Sequence, residues 1–159
     1  MKDEIIEFLE QSNFIEGVSD SKSLDQAVLA WEYVSKVKKL TPSVILKTHK
    51  ILMLHQPILG YQRGYFRREG VTIAGRDGMN WKLIPEAIAQ WCKIVNNKRN
   101  DLEIREDHVK YEIIHPFIDG NGRTGRIFLN WQRLRNKLNI LIIREEERFE
   151  YYKWFASVG

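Results

Sequence analysis

Along most of this chain, apolar side chains recur at spacings of three, four and seven, and one glycine-rich stretch breaks the rhythm. That stretch, Gly60 to Trp81, holds Gly60, Gly64, Gly70, Gly75 and Gly78, half of the ten glycines in the sequence. Helical spacing on both sides of a single break restricts the chain to an all-α fold with one irregular insertion. Inside the insertion, Val71-Thr72-Ile73 has strand propensity and Gly75-Arg76-Asp77-Gly78 reads as a turn. A loop and β-hairpin on the surface of a helical domain is therefore expected.

The helices can be placed one by one. Asp3 to Glu16 reads as the first, with Ile5, Ile6, Leu9 and Asn13 on one side and Gly17 as its left-handed stop. Ser23-x-x-Gln26 is a capping-box pattern, and it predicts a second helix to about Lys39 with Val28, Trp31, Tyr33 and Val34 as its apolar stripe. Thr41-Pro42 supplies an N-cap and a proline at the first helical position. The third helix should then run to about His55, with Val44, Ile45, Ile51 and Leu52 inward. Further helices are expected from Pro85 (Ile88, Trp91, Cys92, Val95), ahead of His115 (Val109, Ile113, Ile114), and from Arg123 (Ile127, Trp131, Leu134, Leu138). A last one should cover about Glu145 to Ser157. The five tryptophans fall mostly on these stripes and read as core. With 159 residues, the chain suits one domain able to close a hydrophobic core.

Charge and composition exclude little. Lys and Arg number 25 against 21 Asp and Glu, a net charge of +4 that favours anionic ligands without naming one. Cys92 is the only cysteine, so no internal disulfide can form, and it reads as a small core residue. No apolar run approaches the ~18 residues of a membrane span. The opening Met-Lys-Asp-Glu-Ile-Ile-Glu is too acidic for a signal peptide, so a cytoplasmic protein is expected. His49, His55 and His108 lack metal-site spacing and read as surface or core-edge residues. Two basic groups, Arg63, Arg67, Arg68 and Arg133, Arg135, Lys137, read as solvated faces. Glu145 to Glu147 dilute them and no nucleic-acid motif accompanies them, so nucleic acid is not expected as the partner.

The chemistry is concentrated in residues 115–126, His-Pro-Phe-Ile-Asp-Gly-Asn-Gly-Arg-Thr-Gly-Arg. Pro116 ends the preceding helix at His115, which leaves the imidazole facing a cleft. Gly120 and Gly122 flank Asn121 in a small-residue turn whose N–H groups can converge on an anion, and the following helix adds its positive end. Arg123 and Arg126 are three apart and share a helix face suited to phosphate. Asp119 precedes the turn, where a carboxylate can hold Mg²⁺ against phosphate oxygens. His115 titrates near neutrality and can take a proton from a hydroxyl. Base, metal ligand, phosphate cradle and two arginines are the parts of an in-line displacement at phosphorus. Phe117 and Ile118 read as packing residues.

This segment matches the signature His-x-Phe-x-Asp-Gly-Asn-Gly-Arg-x-x-Arg at every defined position, so the chain resembles the Fic family. Gly64-Tyr65-Phe66-Arg67 with the hairpin is similar to the family's flap, and Leu141-Ile-Ile-Arg144 with Tyr151-Tyr152 is similar to its C-terminal region. The resemblance implies a Fic-type helical bundle with one β-hairpin flap at about residues 60–81, and an activity that moves AMP from ATP onto a protein Ser, Thr or Tyr hydroxyl. His115 would be the base, Asp119 the Mg²⁺ ligand, and Gly120, Asn121 and Gly122 the nest for the α- and β-phosphates. Arg123 would meet the β-phosphate and Arg126 the γ-phosphate, with Tyr152 stacked on adenine. The branch of the family that transfers phosphate carries lysine in place of the second glycine; Gly122 resembles the AMP-transferring majority.

Ser12-Asn-Phe-Ile-Glu16-Gly17 is similar to the family's inhibitory pattern, Ser/Thr-x-x-x-Glu-Gly/Asn. Residues 1–17 would then be an inhibitory helix and 18–159 the core, with Glu16 pairing with Arg126 and occupying the γ-phosphate position. An exposed ion pair is worth only about 0–1 kcal/mol, so such a lock needs a partly buried, well-oriented pair. Val71, Thr72 and Ile73 offer a strand edge on which a target segment can dock. Two other functions stay open: removal of AMP by the same site, with Glu16 positioning water, and a non-catalytic nucleotide- or protein-binding module. Self-modification and homo-oligomerisation also stay open.

Overall fold

The computed structural model describes residues 1–156, and seven helices carry most of its regular structure. Helix α1 (Lys2–Ile15) turns Phe8, Leu9, Ser12, Asn13 and Ile15 inward. That face lies one step round from the predicted one: Ile6 is exposed, and Phe8 packs edge-on against Trp31. Gly17 adopts φ +72°, the left-handed stop that the glycine predicts.

Helix α2 (Ser21–Ser35) starts earlier and ends earlier than expected. Its cap is Asp20, whose carboxylate accepts from the Ser23 N–H at 3.0 Å and from the Ser23 hydroxyl at 2.7 Å. The Ser23/Gln26 capping box does not form, because Gln26 is drawn into a tertiary bond with the Ile51 carbonyl. Small residues, Ala27 and Ala30, lie beside Trp31 and Val34 on the buried face and let α2 approach α3 (Pro42–Leu52) closely. Thr41 caps α3 as the sequence predicts, accepting from the Val44 N–H.

The hairpin is shorter and displaced from its predicted turn. Strands β1 (Thr72–Ile73) and β2 (Arg76–Asp77) pair antiparallel, Thr72 with Asp77 and Ile73 with Arg76. The turn is therefore Ala74-Gly75, both at positive φ (49° and 81°), as a two-residue hairpin loop requires. Val71 lies outside the strand but accepts from the Gly78 N–H.

Helices α4 (Ile84–Val95), α5 (Asp101–Ile114) and α6 (Asn121–Arg135) complete the bundle. All four predicted residues of α4 are buried, whereas Ile113 of α5 is exposed and Leu138 lies beyond the end of α6. Helix α6 is buried nearly all round from Asn121 to Gln132 although much of it is polar. Most of its polar groups find partners, Arg123 Nε and Gln132 Oε1 being the exceptions: Thr124 bonds Tyr111 Oη at 2.7 Å, Asn130 bonds both backbone groups of Leu141 and the Gln132 amide N–H donates to Asp107. Such satisfaction is what makes a polar central helix affordable. The predicted last helix is broken into a 3₁₀ turn (Glu145–Glu147), a short α7 (Arg148–Tyr152) and a second turn (Lys153–Phe155); its expected end at Ser157 falls outside the described residues. Among the described residues, no helix is long and apolar enough to cross a membrane.

Candidate active site

Helix α5 stops at His115, which takes a left-handed conformation (φ 50°, ψ 64°) uncommon for a side chain with a Cβ. Arg67 is why this strained residue holds. Its guanidinium is buried among carbonyls, donating to His115 O at 2.7 Å, Glu69 O at 2.8 Å and Met79 O at 2.7 Å, and more weakly to Ile114 O. The carbonyl end of a helix is its negative pole, so a buried cation is stabilised there. Arg67 is therefore a buried residue and not part of the solvated basic face expected from sequence.

The loop after His115 is held from two sides. Asn121 folds its amide back onto Phe117, accepting from the N–H at 2.9 Å and donating to the carbonyl at 2.8 Å. His49, from α3, is fully buried and stacks flat on Phe117 with centroids 3.7 Å apart. Its Nδ1 accepts from the Gly64 N–H at 3.0 Å, which leaves Nε2–H to donate to the Asp119 carbonyl at 2.8 Å. Burial lowers its pKa to about 4, so it stays neutral. His49 and His108 are thus core residues rather than surface or core-edge ones, while His55 is exposed.

Gly120 takes φ +87° with Met53 so close that a Cβ would lie 2.8 Å from its sulfur. Helix α6 begins immediately afterwards, and the first N–H groups of any helix have no acceptor within it. Those of Asn121 and Gly122, beside Gly120, can therefore form an anion cradle with a positive helix end behind it. They face a cavity of about 1080 Å³ whose wall includes His115, Asp119, Gly120, Gly122, Arg126 and Tyr152, roomy enough for a nucleotide.

Above Gly122 sits an ion pair. Arg126 Nη2 lies 2.6 Å from Glu16 Oε1; the arginine side chain is 3% exposed and the glutamate 37%. Arg126 also donates through Nε to Ser12 Oγ at 2.7 Å, through Nη2 to the Ser12 carbonyl at 3.1 Å, and through Nη1 to Tyr151 Oη at 3.3 Å. Burial opposes its charge, but the Tyr151 oxygen, Glu16 and Glu112 outweigh that and raise its pKa. A Cβ at residue 122 would overlap both the Glu16 carboxylate and the arginine.

The remaining predicted residues divide. Asp119 is half exposed at the cavity lip, accepting from the Gly120 N–H at 2.8 Å. One carboxylate facing the cradle suits Mg²⁺, which takes one or two protein carboxylates and completes its shell with phosphate and water. No group of three or more acidic, His or Cys residues that could hold a metal occurs among the described residues. Arg123 stands behind the loop, 4% exposed, near Gln56 Oε1 (3.2 Å) and Asp119 Oδ2 (3.5 Å). Tyr152 and Ile73 border the cavity, whereas Val71 and Thr72 do not. Four participants have no such role in the sequence reading: Arg67, His49, Tyr151 and Glu112. Arg67 and Tyr151 carry a local signal, as members of the flap-like and C-terminal segments, whereas His49 and Glu112 carry none.

The fold is thus a mostly helical bundle with one small two-strand sheet, in which an imidazole at one helix exit stands beside a glycine turn that opens the next helix. Residues 39–132 match the Fic/DOC family, and the chain belongs to that family. It is 33% identical over 152 residues to protein adenylyltransferase Fic of Drosophila grimshawi and 29% identical over 150 residues to that of Drosophila melanogaster. Each match covers 84% of this chain but only 30% of the relative, so the chain spans about a third of the length of those proteins. The fold is similar to a Fic domain containing signaling protein from Bacteroides thetaiotaomicron, with a TM-score of 0.81 over 96% of this chain and 70% of that one at 18% identity. It is also similar to residues 134–508 of Fic-1 from C. elegans, with a TM-score of 0.79 over 99% of this chain and 56% of that one at 18% identity.

Proposed function

We propose that this chain is a protein adenylyltransferase that moves AMP from ATP onto a Ser, Thr or Tyr hydroxyl of a target protein, and that residues 1–17 hold it off. The observation that carries this reading is the convergence of His115, the Gly120–Gly122 cradle and Arg126 on one cavity. His115 Nδ1 lies 3.3 Å from the Glu112 carbonyl, which can only accept. Nδ1 therefore carries the proton, and Nε2 is left bare to receive one from the attacking hydroxyl. The hydroxyl oxygen bonds to the α-phosphorus as the bond to the bridging oxygen breaks, and pyrophosphate leaves. The cradle N–H groups and Arg126 bind and orient the phosphates, with Arg123 supporting the cradle from behind. Asp119 would hold Mg²⁺, which supplies charge neutralisation of the phosphates when bound. Residues 18–159 form the catalytic core of this reading, with the segment at about 60–81 as the flap on which the target docks and Tyr152 stacked on the adenine.

Glu16 is the brake. It occupies the space over Gly122 where the terminal phosphate would meet Arg126, and its pair is buried on the arginine side, unlike a solvated surface bridge. The test is mass spectrometry of wild-type and Glu16→Gly protein after incubation with ATP and Mg²⁺. The variant should acquire adenylyl adducts of itself or of added proteins at least about tenfold faster, the effect of ~1.4 kcal/mol. Equal labelling would remove the brake, and no labelling of any protein would remove the transferase.

A further inference from the structure

Two carboxyl groups line the same cavity as Arg126. Glu16 holds Arg126 directly, at 2.6 Å. Glu112 lies three residues before His115 on α5 and lines the same cavity. Its Oε1 is sealed into the α5–α6 contact and has no hydrogen-bond partner. Gly125 makes the room for it, since a Cβ there would come within 2.6 Å of that oxygen. A buried carboxyl oxygen without a donor resists ionisation. Burial pushes the Glu112 pKa up to about 7; Arg126 pulls it down and Glu16 pushes it up.

The other titratable groups facing Glu112 carry no charge at neutral pH. His108 on its own helix is held near 3 by burial and the Arg126 charge, and burial raises the Tyr151 phenol on α7. His115 is lowered by burial. Glu16 at the end of α1 and Arg126 on α6 are the charges that act on it. With Glu16 gone, the Arg126 guanidinium keeps Ser12 and Tyr151, which are neutral. A buried cation left without a counter-charge is strongly unfavourable. The same departure removes the anion that opposed ionisation of Glu112.

We propose that Glu112 is the positioning residue for Arg126 in the unlocked site: as Glu16 leaves, Glu112 releases its proton to solvent, becomes the carboxylate that holds the guanidinium beside the cradle, and takes the proton back when nucleotide phosphate arrives. The pair thus stays neutral through the exchange. This rests on the reading of Glu16 as the brake and Arg126 as a phosphate ligand.

Carbon-13 NMR of glutamate-labelled protein tests it, with the residue-112 carboxyl assigned through Glu112→Gln. Wild type, Glu16→Gly, and Glu16→Gly with Mg²⁺ and α,β-methylene-ATP are titrated across neutral pH. The midpoint should lie near 7 in wild type, fall by about one unit or more in Glu16→Gly, and rise again with the nucleotide. A midpoint unchanged between the first two samples overturns the inference, as does a nucleotide that binds without raising it. If the analogue shifts no resonance of Glu16→Gly, the nucleotide reading itself falls and takes this inference with it.

Discussion

At the scale of single residues, the site depends on side chains whose protonation is set by burial. His115 is the clearest case. Its pKa is lowered, chiefly by burial, so the imidazole stays neutral to more acid pH than a free histidine. A general base works unprotonated, so the rate should rise with pH through that lowered value and then level. The pH–rate profile of the Glu16→Gly protein should therefore show an acid limb centred below the ordinary histidine value of about 6.5. A limb centred above it, or no limb, would exclude His115 as the base. The place of His115 at a helix exit is legible in the sequence, because a proline and a glycine turn constrain it locally. Its orientation is not, because that depends on Arg67, which is 48 residues away along the chain.

At the scale of elements, what matters is how helix ends are finished. The end of α5 carries His115, and Arg67 satisfies several of its carbonyls and those of the neighbouring loop at once. Arg67→Met should strand those carbonyls and cost at least about 2 kcal/mol in urea denaturation. Arg67→Lys should recover little, since one ammonium cannot reproduce the guanidinium fork. A loss under about 0.5 kcal/mol would show that water replaces the arginine without penalty. Element boundaries were read well where the signal is local. Thr41-Pro42 opens α3 and Gly17 closes α1. They were misread where tertiary bonds compete: Gln26 leaves the capping box for Ile51, and Asp20 caps α2 instead. The hairpin slipped for a related reason. Positive φ at Ala74 and Gly75 defines its turn, and alanine gives no such signal in sequence.

At the scale of the whole molecule, buried titratable groups link stability to pH. His49 and His108 are held at about 4 and about 3, against 6.5 when unfolded. Glu112 is held at about 7, against 4.5 unfolded. Between pH 4.5 and 6.5 the unfolded chain binds protons at both histidines that the folded chain does not, and the folded chain binds one at Glu112 that the unfolded chain does not. His115 is lowered as well and adds to the same side, so the balance is at least about one proton in favour of the unfolded state, and stability should fall on acidification through this window by at least about 1 kcal/mol per pH unit. Denaturation midpoints measured at both ends of the window check this; unchanged or greater stability at the acid end would show that the histidines are not buried neutral.

The sequence alone determined the helical class, the glycine cradle, the imidazole beside it and the acidic residue at the end of the first helix. These are properties of adjacent residues, set by backbone sterics and helical period over a few positions. Only the tertiary structure decided which groups meet. Arg126 joins Ser12 and Glu16 from more than a hundred residues away, Arg67 holds the strained His115, and Glu112 is shut into the contact between α5 and α6. The physical reason is that burial and counter-charge depend on what packs from elsewhere in the chain, and no local pattern encodes them.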